Sequence, residues 1–84
     1  MWYISYYRLT NIWKSETITS LQFSVDTANK FNTLKSVKEF VYNQCQLRSY
    51  PLCVEVFGIK NVKTKNFYTI RFSHDTKLLK TVRH

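Results

Sequence analysis

Eighty-four residues make one domain, residues 1–84, with too little chain to frame a deep enzyme cleft, while twelve phenylalanines and tyrosines supply enough apolar surface to exclude a disordered chain. A single glycine and a single proline exclude a glycine-rich phosphate loop. The net charge is +8, and the surplus is C-terminal: residues 1–57 carry six basic against four acidic side chains, and residues 58–84 carry seven against one, a field that attracts phosphate backbones or acidic partners.

In chain order, WYISYYRL (2–9) and ETITSLQFSV (16–25) are rich in β-branched and aromatic residues and read as a hairpin. Between residues 26 and 49 the period changes. Leu34, Val37, Phe40, Val41, Cys45 and Leu47 recur at helical spacing, with Thr33 or Ser36 as the cap and Ser36 with Glu39 in the form of a capping box. Pro51 ends any helical run. LCVEVFGI (52–59) and FYTIRFS (67–73) alternate as strands around the polar, basic connection 60–66, and the tail from Asp75 is predicted as a short helix docking Leu78, Leu79 and Val82. The expected fold is α+β: an antiparallel sheet of about four strands, ββαββ, with the main helix on one face and the other face open.

The start, MWYISYYRLT, has no basic region followed by an apolar run, and no stretch approaches the roughly 20 apolar residues of a membrane span. A soluble, cytoplasmic protein with reduced, semi-buried Cys45 and Cys53 is therefore expected. Their spacing is not that of a zinc site and His74 and His84 do not complete one, so no metal or cofactor is expected.

In the strand 67–73, Tyr68, Ile70 and Phe72 point one way and suit a core, while Phe67, Thr69 and Arg71 point the other. On an open face the second set is a platform for stacked bases and phosphates. The alternative is that a neighbouring element covers Phe67 while Arg71 pairs with Glu55 across the sheet. KNFYTIRF (65–72) resembles the RNA-contacting strand of the RNA-recognition motif family at Lys65, Phe67, Ile70 and Phe72, and departs from it at Asn66, Tyr68 and Thr69. The element order also differs, since that family has one strand before its first helix and one after its second. The likeness marks shared physics rather than membership. The Asn, Lys, Ile, Tyr and Phe bias, the small size and the start MWYISYY are similar to those of small phage-encoded inhibitors of endoribonuclease toxins, the TifA-like proteins. That resemblance, of size and composition, implies an RNA-dependent inhibitor that binds RNA and a host defence toxin together in the cytoplasm of the host cell.

His74 beside Asp75, with Lys77 nearby, has the residue types of a metal-independent ribonuclease. A lone histidine in a loop is ordinarily exposed, and Asp26, Glu39, Glu55 and Asp75 fall on separate elements, so no enzyme is expected. The expectation is an RNA-binding module that holds phosphates through Lys60, Lys63, Lys65, Arg71, Lys77, Lys80 and Arg83, with Phe67 and Tyr68 stacking. Lys35 and Lys38 extend this surface if the helix start lies beside the 60–72 hairpin. The alternative is an inhibitor that docks on an acidic protein surface without RNA, anchored by Trp2, Tyr3, Tyr6, Tyr7 and Trp13. Monomer and homodimer through an edge strand stand equally open.

Overall fold

The computed structural model describes residues 1–84, and every strand in it pairs antiparallel to its neighbours. The elements are β1 (Trp2–Asn11), β2 (Glu16–Gln22), β3 (Lys30–Phe31), α1 (Leu34–Leu47), β4 (Cys53–Asn61), β5 (Phe67–Ser73) and β6 (Leu78–Arg83). The sheet runs β2-β1-β4-β5-β6, with the two-residue β3 against the start of β1. This is the expected α+β arrangement with two further strands.

The tail is the main correction. Residues 78–83 form an edge strand rather than a helix, because the turn before them, with Lys77 at φ 58°, reverses the chain onto β5. A helix of so few residues is marginal on its own. The ladder instead satisfies the outer backbone groups of β5, and the His84 N–H donates to the Phe67 carbonyl at 2.9 Å. The second strand also stops at Gln22, earlier than the apolar run to Val25 suggests.

Thr33 is the helix cap: its hydroxyl accepts from the Ser36 backbone N–H at 3.1 Å. Ser36 therefore lies inside the first turn, and no Ser36–Glu39 capping box forms. Val37, Val41 and Cys45 are fully buried against the sheet, whereas Leu47, the last residue of the helical pattern, points to solvent with 84% of its surface exposed. The core joins these helix residues to Ile4, Phe57, Ile59, Ile70 and Phe72. Cys45 and Cys53 are both buried and free.

One irregularity decides which side chains reach the opposite face. In β1, Ile4 pairs with Ile59 and Tyr6 with Gly58, so Ser5 is an extra residue, a β-bulge. A one-residue insertion flips every later side chain to the other face. Ile4 thus faces the helix, and after the bulge so do Tyr7 and Leu9, turning Tyr6, Arg8 and Thr10 outward. A second shift leaves Ile18 as the extra residue in β2, since Leu9 pairs with Thr19 and Thr10 with Thr17. Ser15, Leu52, Lys65 and Lys77 adopt positive φ, three of them in hairpin turns where glycine is the usual choice. No helix is long and apolar enough to cross a membrane.

Candidate nucleic-acid interface

The helix covers one face of the sheet and leaves the other bare. On the bare face, cross-strand pairing lines residues up in rows. Arg8 pairs with Val56, Val56 with Arg71 and Arg71 with Lys80, so three cations lie in one row across four strands. At about 4.8 Å per strand that row spans roughly 14 Å. The next row, about 7 Å along the strands, is Tyr6, Gly58, Thr69 and Val82, and beyond it Lys60 pairs with Phe67.

Aromatic rings gather at this end. Tyr6 lies 6.2 Å from Phe67, and Phe67 lies 5.3 Å from the His84 ring, centroid to centroid. His84 Nε2 and the Thr69 hydroxyl are 2.5 Å apart. Gly58, the one glycine, makes room for this arrangement: a Cβ there would sit inside the Tyr6 ring's contact surface, with Tyr6 Cζ at 3.0 Å and two further ring atoms nearer still. A side chain at position 58 would lift Tyr6 off the sheet. The rows enclose a shallow depression of about 410 Å³ lined by Tyr6, Arg8, Thr69, Arg71, Val82 and His84 among others, with no Asp or Glu side chain in its wall.

The acidic groups are elsewhere. Every ion pair in the molecule converges on Glu55, which lies on the helix side of β4 with its side chain fully buried. Glu55 pairs along the ladder with Phe72, not Arg71, so the expected alternative of an Arg71–Glu55 pair does not form. Oε1 accepts from the Tyr7 hydroxyl at 2.5 Å and from Arg48 Nε at 3.1 Å, with the Arg48 Nη2 cation 2.8 Å away, and Oε2 lies 2.7 Å from His74 Nε2. A carboxylate only accepts, so His74 Nε2 carries the proton. Burial alone would push the Glu55 carboxyl up, but hydrogen bonds from Tyr7, Arg48 and His74 outweigh it and hold the group below the usual carboxylate range. Burial and the Glu55 charge push the Tyr7 phenol well above its ordinary value and the Cys45 thiol up to about 12. The same carboxylate raises Arg48 in spite of the burial that opposes it. His74, expected to be exposed, is 6% exposed and locked against Glu55. No group of three or more metal-ligating side chains occurs.

The structure sorts the sequence-derived site residues. Lys60, Phe67, Arg71 and Lys80 share the bare face, Phe67 half-buried and the cations exposed. Lys63 and Lys65 are exposed in the β4–β5 turn at its margin. Arg83 pairs with Tyr68 and so belongs to the helix side, where Tyr68 meets Trp2 at 5.5 Å in place of stacking on a base. Lys77 lies 5.9 Å from the centre of the Phe72 ring, also toward the core side. Lys35 and Lys38 are on the helix, which packs on the opposite side of the sheet from the platform. Of the expected anchors, Tyr7 and Trp2 serve the core and Trp13 is 78% exposed in the β1–β2 turn. For this face sequence reasoning missed Arg8 and His84, and it named Tyr6 only as an anchor of the protein-docking alternative. The sequence offered no signal for Arg8 or Tyr6, because Trp2, Tyr3, Ile4, Tyr6, Tyr7 and Leu9 occupy both phases of β1 and leave its change of face unmarked.

Comparison with protein-family models, curated proteins and solved structures returns no match for this chain.

Proposed function

We propose that the protein is a non-catalytic RNA-binding module whose bare sheet face holds single-stranded or unpaired RNA. The observation that carries this reading is the Arg8–Arg71–Lys80 row. Arg71 and Lys80 stand directly opposite one another, an arrangement that costs stability, and neither makes an ion pair. A phosphodiester backbone along the row would relieve that repulsion, and bases reaching one and two rows away would meet Tyr6 and then Phe67 and His84. A sheet face four strands wide, backed by aromatic rings, favours splayed bases over a duplex, whose stacked bases cannot reach a flat surface.

The non-catalytic part of the reading is supported by His74, whose Nε2 is committed to a fully buried carboxylate. The likeness in size and composition to the TifA-like inhibitors extends the proposal to an RNA held between this face and a host toxin. The test is the absorbance ratio at 260 and 280 nm of protein purified from cells, before and after nuclease, followed by anisotropy titration of labelled single-stranded and duplex RNA. Co-purifying nucleic acid and a preference for the single strand are expected. Nucleic-acid-free protein that ignores both probes would overturn the reading in favour of docking on an acidic protein.

A further inference from the structure

We propose that a recess beside the helix, on the covered side of the sheet, binds a small aromatic carboxylate. The helix carries two stripes at four-residue spacing. Val37, Val41 and Cys45 enter the core, while Phe40, Gln44 and Arg48 border a recess of about 370 Å³. Ile4, Tyr7 and Phe57 line its sheet side, with the Tyr7 and Phe57 rings edge to face at 5.0 Å.

The remaining wall is the turn after β2, which brings Phe23, Thr27 and Ala28 to the recess. Backbone hydrogen bonds tie this turn down. The Phe23 N–H donates to the Ser5 carbonyl at 2.9 Å, the Thr27 and Ala28 N–H groups donate to the Ser24 carbonyl at 3.2 and 3.0 Å, and the Ile4 N–H donates to the Asn29 carbonyl at 3.4 Å. The walls are therefore held by the fold itself. The volume lies at the lower end of the roughly 300–1,000 Å³ of small-molecule sites, which suits a small ring compound.

Aromatic walls select a ring, and the one cation selects its head group. Arg48 directs Nε and Nη2 to Glu55, which is fully buried and does not line the recess, and Nη2 also reaches Cys45 Sγ. Nη1 is left without a partner in the chain. Because Glu55 already fixes the guanidinium, an incoming acceptor meets a donor whose ordering is complete. Gln44, one helical turn before Arg48, and the Tyr50 hydroxyl add neutral donors, and no Asp or Glu side chain lines the recess. A guanidinium shared with Glu55 can hold one further negative charge against apolar walls. A phosphate monoester brings about 1.5 to 2 and would leave part of that charge unpaired. The net charge of +8 favours an anion over a neutral or cationic ring compound.

The site stands apart from the RNA face, and its test uses nuclease-treated protein. Backbone-amide NMR signals are followed during titration with benzoate, phenylacetate and naphthoate, each beside its primary amide, and with acetate, which has the charge without the ring. At least one aromatic acid should saturate at millimolar concentration or below and move the Ala28, Gln44 and Arg48 signals most. Its amide should bind at least roughly tenfold more weakly, as loss of a charge-assisted hydrogen bond requires, and acetate should leave those signals in place. Ala28→Phe should fill the recess and abolish binding with an unchanged far-ultraviolet circular dichroism spectrum. Arg48→Lys, which keeps a charge for Glu55 and removes Nη1, should weaken the acid and spare the amide. Should the lysine variant melt early, Ala28→Phe decides, since position 28 is a half-buried turn position outside the Glu55 cluster. Silence toward all three acids, equal binding of acids and amides, shifts scattered over the cations of the bare face, or binding that survives Ala28→Phe would each overturn the site.

Discussion

Replacing Arg8 and Arg71 together by glutamine removes two of the four cations that line the bare face, leaving Lys80 and Lys60. If each cation neutralises one phosphate, the parent's log affinity should fall against log salt with a slope of about −3, and the double variant's with a slope of about −1.4, taking roughly 0.7 per phosphate on a single strand. Over a fourfold rise in salt the parent would then lose about 50-fold in affinity and the variant about sevenfold. Stability should move the other way. Neither arginine has an ion pair to lose, and Arg71 stands opposite Lys80, a like-charge contact costing roughly 0.2–1 kcal/mol. The melting temperature should therefore hold or rise by up to roughly 5 °C. Anisotropy titrations of a labelled single-stranded RNA across salt, with thermal melts on the same samples, measure both. Parallel salt plots for parent and variant would remove the phosphates from this row. A variant that binds poorly because it melts early would show that the two arginines hold the fold.

Three further outcomes are expected. Phe67→Ala should weaken RNA binding by roughly 1–3 kcal/mol per stacked base, with less effect on stability than Phe72→Ala in the core, which should cost about 3–5 kcal/mol. Gly58→Ala should mimic loss of a stack by displacing Tyr6, and in a Tyr6→Ala background it should do nothing more; additive losses would show that Gly58 acts by another route. Glu55→Gln should cost about 3 kcal/mol, the low end for breaking a buried ion pair because the Arg48 side chain keeps 29% of its surface. Because the folded Glu55 carboxyl is held below its unfolded value of about 4.3, its contribution is complete above that pH and is lost as pH falls toward the folded value. The parent's melting temperature should drop through that acid window, and the glutamine variant should lack that component; equal slopes would refute the assignment.

The alternation of Phe67 to Phe72 was legible in the sequence because both faces of β5 follow the two-residue period without interruption. The helix was legible because Thr33 caps it and Val37, Val41 and Cys45 keep the 3.6-residue period. The first strand was harder. A bulge at Ser5 is a property of the pairing of β1 with β4, some fifty residues away, and local propensity carries no record of it. With the phase of β1 unknown, Arg8 and Tyr6 could not be placed beside Arg71 and Phe67. The tail was misread for a related reason: KLLKT suits a short amphipathic helix, and only the vacant edge of β5 makes it a strand. The buried cluster around Glu55 was equally out of reach, since it assembles Tyr7, Arg48 and His74 from three elements and no spacing in the chain links them.

The left-handed lysines at two turns set a limit on how this molecule can be improved. Lys65, at φ 63°, and Lys77, at φ 58°, occupy the turns of the two hairpins in the basic half, where a residue with a Cβ is strained by about 1 kcal/mol or more. Glycine at either position is the stock thermostabilising exchange, and there it would relieve the backbone while deleting a positive charge. Robustness and cationic character therefore pull in opposite directions at both tips. A hardened version of this scaffold that is to keep its charge needs its reinforcement elsewhere, in the half-buried positions around the helix.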